Sequence, residues 1–244
     1  MTVSQRELWE VEARNWLHFV RTGRLSGERH PAFNQPHFLM LLPPPAGPVL
    51  EIGCGEGRFT RVLRAVGYDA SGIDVAAELV RAAERADPRG RYLVADAAAL
   101  PFADASFDLV VAFMSLHHVD ELERAVAEVA RVLTPAGRFC FAIPHPLSTA
   151  GRLVGPGSGT TFAVDESYFE TRPIVVSEHD EDVSLTIQSW HRPLTVYTSA
   201  LERAGLALEV LREPRPSAEQ ADAERESIWH RIPHVLHGRA AHAA

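Results

Sequence analysis

Apolar and polar positions along the chain follow two rhythms. Near the start, Trp9, Ala13, Trp16 and Val20 recur at helical spacing. A loop rich in Gly, His and Pro follows, and residues 37–42 read as a short helix stopped by Pro43, Pro44 and Pro45. From residue 49, short apolar runs alternate with amphipathic stretches. Residues 49–53, 70–75, 91–95, 107–113 and 137–143 read as strands, and residues 58–66, 76–86 and 121–133 as the helices among them. In the last of these helices, Leu122, Val126, Val129, Ala130 and Leu133 share one face. The run from Phe107 to Phe113 is almost wholly apolar, as a strand covered on both faces requires. This alternation predicts an α/β fold, a parallel sheet with helices on both faces.

Residues 145–193 break the rhythm. They are rich in Gly, Ser, Thr and Pro, then turn strand-like over 174–190, with an acidic turn expected at 178–182. They read as an insertion after the fifth strand, on the functional edge of the sheet. A helix at 195–204 stopped by Gly205, a strand at 206–211, a polar helix at 218–226 and a last strand at 234–240 complete the pattern. The expected organisation is one domain over 1–244. It comprises a helical cap or lid (1–48), a cofactor-binding core (49–144), a substrate-side insertion (145–193) and a C-terminal completion of the sheet (194–244).

Composition narrows the chemistry. The chain has 244 residues, and all 24 of its Lys-plus-Arg total are arginine. A lysine Schiff base and a lysine-bearing P-loop are therefore excluded. The net charge of -8 argues against broad nucleic-acid binding, which needs phosphate neutralisation. No apolar run reaches membrane-spanning length. Charged Arg6, Glu7, Glu10 and Glu12 interrupt any signal-peptide pattern, and Cys54 and Cys140 do not form a disulfide framework. The expected setting is cytoplasmic, with a small-molecule partner, no nucleic acid, no membrane, and a monomeric or homodimeric state.

The chemistry-bearing residues fall at strand ends. The first strand runs into Gly53-Cys54-Gly55-Glu56-Gly57, where glycines let a ligand approach the backbone. A plain strand–helix turn would also use glycines, so spacing decides. The glycines read G-x-G-x-G, not the G-x-G-x-x-G of nicotinamide dinucleotide sites. Asp74 ends the second strand, where a carboxylate can accept from both ribose hydroxyls of an adenosine. Asp96 ends the third and can accept from an adenine amino group, with Phe102 and Phe107 near the ring.

On the segments LEIGCGEGRFT (50–60), GIDVAAELVRAA (72–83), VADAAALPFADASFDLVVAFMSLHHV (94–119) and LERAVAEVARVLTPAGRFCFAIPHP (122–146), the chain resembles class I S-adenosylmethionine-dependent methyltransferases of the small-molecule type, such as quinone and natural-product methyltransferases. Residues 190–214 resemble the tail of bacterial members. The resemblance implies a Rossmann-like seven-stranded sheet with an antiparallel last strand. It implies that S-adenosylmethionine is the cofactor and S-adenosylhomocysteine the product. Glu51, Gly53, Cys54, Gly55 and Gly57 would border the methionine part. Asp74 would bind the ribose, with Val75 beside the adenine. Asp96 and Ala97 would hold the adenine edge, and Phe113 and Met114 would lie near the sulfonium.

Methyl transfer is an in-line displacement that aligns a nucleophile with the methyl group, and a hydroxyl or ammonium acceptor must also lose a proton. Four histidines stand at the expected mouth. Adjacent side chains rarely point the same way, so His117 is preferred over His118 as the catalytic base, with His145 second. Tyr168, Arg172 and His191 are the candidate substrate contacts. His230, His234 and His237 are interrupted by Pro233, and no metal site is expected. The function that follows is methyl transfer to a small-molecule acceptor, in bacterial secondary metabolism. The competing readings are a non-catalytic S-adenosylmethionine-binding module, another reaction on the same scaffold, and a nicotinamide oxidoreductase that the glycine spacing opposes.

Overall fold

The computed structural model describes residues 4–22, 31–155, 160–180, 183–216 and 229–243. Two helices come first, α1 (Gln5–Thr22) and α2 (Pro31–Leu39). The alternating core follows: β1 (Pro48–Ile52), α3 (Arg58–Ala65), β2 (Asp69–Asp74), α4 (Ala77–Ala86), β3 (Tyr92–Val94), β4 (Phe107–Phe113), α5 (Leu122–Val132) and β5 (Leu133–Pro144). A short 3-10 turn, Leu116–His118, sits between β4 and α5. Beyond β5 come α6 (Pro146–Thr149) and two hairpins. The first is β6 (Gly151–Val154) with β7 (Thr161–Val164), the second β8 (Arg172–Asp180) with β9 (Val183–His191). The chain returns through α7 (Leu194–Arg203), β10 (Leu206–Arg212) and β11 (Val235–His242).

Seven strands form one sheet in the order β10-β11-β5-β4-β1-β2-β3. β3, β2, β1, β4 and β5 are mutually parallel, and β11 runs antiparallel to both β5 and β10. This is the Rossmann-like α/β arrangement with an antiparallel last strand. Side chains alternate across its faces. Leu50, Ile52, Val110, Ala112, Phe139, Phe141 and Ile143 pack under α5 and α7. Val49, Leu109, Val111, Cys140 and Ala142 pack on the other face under α2 and α3. Two covered faces explain why the central strands read as unbroken apolar runs. α1 lies outside this layer, with Ala13 and Leu17 on Ala76, Leu79 and Ala82 of the α4 region. Its Phe19 reaches Leu185 of β9.

Four local expectations change. α2 begins at Pro31 rather than residue 37 and passes through Pro36, because burial of Phe33 and Phe38 outweighs the local breaker. β5 starts at Leu133 directly from α5, ahead of the expected residue 137. Glu178 and Asp180 belong to β8 and not to a turn. Asp180 is buried, and His18 Nε2 of α1 meets its Oδ2 at 2.8 Å, a partner invisible to local sequence. The β6–β7 hairpin was not expected. The expected helix at 218–226 falls outside the described residues.

Phe139 is fully buried at the middle of the sheet. Phe139→Ala is expected to cost about 3–5 kcal/mol, read as a lowered denaturant midpoint with an unchanged slope.

Candidate active site

The carboxyl ends of β1, β2 and β4 converge where the strand order reverses, and a crevice opens there. The turn after β1 is held from both sides. Cys54 N–H donates to the Ile73 carbonyl at 2.8 Å, and Gly57 N–H to the Cys54 carbonyl at 2.9 Å. Gly55 adopts a φ of 55°, and a Cβ placed there would meet nothing within 4 Å, so its backbone faces open space. Asp74 Oδ2 accepts the Gly55 N–H at 2.9 Å, and its Oδ1 accepts the Ala76 N–H, also at 2.9 Å. The Val75 N–H adds a third backbone donor to the same carboxyl. Asp96 closes a small turn by accepting the Ala98 N–H at 2.8 Å.

Two buried carboxyls line this space, and among the described residues no buried cation is bonded to them. Glu51 accepts the Thr60 hydroxyl, and burial pushes its pKa up to about 8. Burial likewise pushes Asp74 up to about 6, against the pull of its backbone donors. Both carboxyls would gain from a cationic neighbour.

The cavity measures about 840 Å³. Its floor contains Glu51, Gly53, Cys54, Gly55, Asp74, Val75, Asp96, Ala97, Phe113 and Met114. Met114 holds a φ of 55°, rare for a residue with a side chain, where the chain leaves β4. One wall is α1, through Gln5, Trp9 and Trp16, and another is the β8–β9 hairpin, through Val176, Glu178, Ile187 and Ser189. Asn34 and Gln35 of α2 close one end. Among the described residues, seven carboxyl residues and two arginines line the space, an acidic balance that favours positive charge.

His117 and His118 both reach the cavity, with ring centroids 4.0 Å apart. Both reach it although a 3-10 turn separates neighbouring side chains by about 120°. His118 Nδ1 lies 2.9 Å from the Gln188 carbonyl and so carries the proton, leaving Nε2 as an acceptor. Burial lowers the pKa of His118 to about 4 and that of His117 well below its usual value. Arg192, buried, braces this turn by donating to the Val119 carbonyl at 2.5 Å and the Asp120 carbonyl at 3.2 Å.

Five expected site residues lie away from the cavity. Gly57 lets α3 approach its neighbours, since a Cβ there would fall 2.7 Å from the Tyr92 ring and 2.9 Å from Ala83. His145 caps α6: the Leu147 N–H donates to its Nδ1 at 3.0 Å, and its Nε2 meets Glu213 at 2.9 Å. His191 is fully buried, its Nδ1 2.7 Å from the Thr149 hydroxyl and its Nε2 2.9 Å from the Tyr168 carbonyl. The Tyr168 hydroxyl accepts the Leu194 N–H at 3.2 Å, and Arg172 pairs with Glu166 at 2.5 Å. These three bind the insertion to itself and to the start of α7. Phe102 and Phe107 pack on each other, edge to face at 5.0 Å, in the core under α5. Sequence reasoning missed Gln5, Asn34 and the bracing Arg192. The only signal for Arg192 was its place beside the chosen His191.

Comparison with known proteins decides the family. A family model described as "Methyltransferase domain" matches residues 50–141. The 27-O-demethylrifamycin SV methyltransferase of Amycolatopsis mediterranei is 34% identical over 183 residues, covering 67% of each chain. The chain belongs to the S-adenosylmethionine-dependent methyltransferase family. It also matches the malonyl-[acyl-carrier protein] O-methyltransferase of Pectobacterium atrosepticum, 34% identical over 125 residues. That match covers 51% of this chain and spans under half of the relative, 46%. Among solved structures, an S-adenosylmethionine-dependent methyltransferase from Mesorhizobium loti superimposes with a TM-score of 0.68 at 27% identity, covering 88% of this chain and 98% of that one.

The site of this methyltransferase fits the family's cofactor. An open backbone cradle at Gly55, a carboxylate lining the cavity at Asp74 and a buried acid at Glu51 suit a ligand with a ribose and a sulfonium.

Ionising Glu51 in the ligand-free protein costs stability. That stability is full below pH 4.5, its ordinary value, and is lost as pH rises towards about 8. Glu51→Gln is therefore expected to raise the melting temperature relative to wild type at pH 8 and to leave it unchanged at pH 4. Equal differences at the two values would contradict a raised pKa.

Proposed function

We propose that this protein transfers a methyl group from S-adenosylmethionine to a small-molecule acceptor. The observation that carries the reading is the meeting, in one cavity, of the Asp74–Gly55 cradle with the His117–His118 turn. In this reading Glu51, Gly53, Cys54 and Gly55 border the methionine part, and Asp74 accepts from the ribose hydroxyls. Val75, Asp96 and Ala97 border the adenine, and Phe113 and Met114 lie beside the sulfonium. When bound, the cofactor supplies an electrophilic methyl carbon on a cationic sulfur.

The chain's own residues then do three things. Glu51 and the acidic floor favour the cation. Trp9, Trp16 and Ile187 exclude water and orient the acceptor. His118, rather than the sequence-preferred His117, is the proton acceptor in this reading, because its tautomer is fixed by Gln188. A histidine with a pKa near 4 cannot ionise an alcohol beforehand. It can take the proton late, once the attacking oxygen becomes strongly acidic as its new bond forms.

The β8–β9 part of the insertion serves the substrate side in this scheme, and α1 acts as its cap. The negative net charge and the acidic cavity support a non-nucleic-acid acceptor. Among the described residues no helix is long and apolar enough to cross a membrane, and a cytoplasmic setting is part of the proposal. So is a role in bacterial secondary metabolism, which the likeness to a rifamycin methyltransferase supports.

Calorimetry tests the cofactor half. S-adenosylhomocysteine is expected to bind and NAD not to, and Asp74→Ala should weaken the first at least about a hundredfold, as loss of two charge-assisted bonds implies. His118→Phe should leave that affinity within about twofold while lowering turnover at least about tenfold. Unchanged turnover would remove His118 from the mechanism.

A further inference from the structure

We infer that Arg192 is a positioning residue for methyl transfer: with Trp190 it clasps the far end of segment 115–121 and so sets where the acceptor wall stands relative to the cofactor floor. The inference rests on the methyl-transfer reading and adds residues that act on the site from outside it. Segment 115–121 supplies Ser115, His117, His118, Val119, Asp120 and Glu121 to the cavity. Trp190, His191 and Arg192 do not line it.

The near end of the segment is fixed to the floor. Ser115 Oγ donates to the Ile52 carbonyl at 2.6 Å, and a Cβ on Gly53 would fall 2.5 Å from Ser115 Cβ. One 3-10 turn follows. His118 N–H closes it on the Ser115 carbonyl at 2.9 Å, and Val119 N–H on the Leu116 carbonyl at 3.2 Å. So short a turn has little rigidity of its own. Its far end is held from beyond β9. Arg192 donates to the Leu116, Val119 and Asp120 carbonyls at 3.4, 2.5 and 3.2 Å. Trp190 Nε1 donates to Asp120 Oδ1 at 2.9 Å, and the Arg192 guanidinium lies 5.4 Å from the centre of the Trp190 ring.

The clasp draws its stiffness from the insertion. Side chains alternate along extended chain, so Trp190 and Arg192 reach the segment while His191 between them turns the other way. Its Nδ1 lies 2.7 Å from the Thr149 hydroxyl and its Nε2 2.9 Å from the Tyr168 carbonyl. Pro193 confines Arg192 to extended backbone, and the Leu194 N–H beyond it donates to the Tyr168 hydroxyl at 3.2 Å. Thr149 and Tyr168 thereby bear on the cavity wall without touching the cavity. A lysine at 192 could reach one of the three carbonyls, but lacks the planar fork that spans them. Transfer needs the acceptor and the methyl carbon in a narrow range of distance and angle, so a displaced wall costs rate more than binding. The ties of the floor itself, Asp74 to Gly55 and to Ala76, do not involve the clasp.

The test uses the full chain as Arg192→Met, Arg192→Lys and Trp190→Phe. Affinity for S-adenosylhomocysteine, by calorimetry, is expected to stay within about twofold of wild type in all three. In the loaded protein, amide hydrogen exchange over 115–121 should speed up at least about tenfold in Arg192→Met and less in the other two, with the 53–57 turn unchanged. With labelled S-adenosylmethionine and 2,3-dihydroxynaphthalene as the acceptor probe, kcat should fall at least about thirtyfold in Arg192→Met while KM stays within about threefold. Arg192→Lys should recover part of that loss. A loss of S-adenosylhomocysteine affinity of about tenfold, unchanged exchange over 115–121, equal acceleration at 53–57, or a change confined to KM would each overturn the inference. If Arg192→Met does not fold, Arg192→Lys and Trp190→Phe decide. If the wild type does not methylate the probe, exchange and affinity decide. If S-adenosylhomocysteine fails to bind the wild type, the cofactor reading fails. Exchange without it still tests the clasp.

Discussion

Two oxygens on Asp74 organise the region on which everything else depends. One accepts the Gly55 N–H and the other the Ala76 N–H, so a single buried carboxylate ties the turn after β1 to the start of α4. The turn cannot drift from the second strand without leaving a buried acceptor unpaired. This tie lies beside the place where the order of parallel strands reverses, the one edge of such a sheet that opens a crevice. The carboxylate therefore builds the cradle and faces whatever occupies it. Glu51, buried one strand away, adds a second acid that burial keeps from ionising easily. A cavity with this floor favours a cation.

The roof is assembled differently. Helix α1, the turn after β4 and the β8–β9 hairpin come from three distant parts of the chain and meet at a few polar atoms. The Gln188 carbonyl receives Gln5 and His118. Asp120 receives the Gln5 backbone and, at 2.9 Å, the Trp190 indole N–H. Arg192 holds the carbonyls of the intervening turn. These contacts tie the three elements together, so moving one element breaks several of them at once. The consequence is a rigid acceptor side, with the histidine tautomer set by the backbone rather than by solvent.

The core elements were legible because each buries a periodic apolar face. β4 matched its expected bounds, and the alternation of β1, β2, β4 and β5 with helices gave the parallel sheet. The floor was legible for a related reason. Its residues sit at strand ends, so position in the sequence already gives position in space. The acceptor side was not. Tyr168, Arg172, His191 and His145 have the right chemistry, but tertiary partners consume their polar atoms in holding the insertion and α6 together. Gln5 has unremarkable chemistry and became part of the site only through its anchors.

The sequence by itself determined the sheet and its helices, the glycine turn and the acids at the strand ends, because strand period and turn stereochemistry act over a few residues. Tertiary structure decided which histidines face the cavity, which tautomer His118 adopts, and that α1 supplies a wall. Those outcomes depend on hydrogen bonds between residues as far apart as Gln5 and Gln188. Such pairs leave no local pattern, since the partner that satisfies a polar atom is chosen only when the chain has packed.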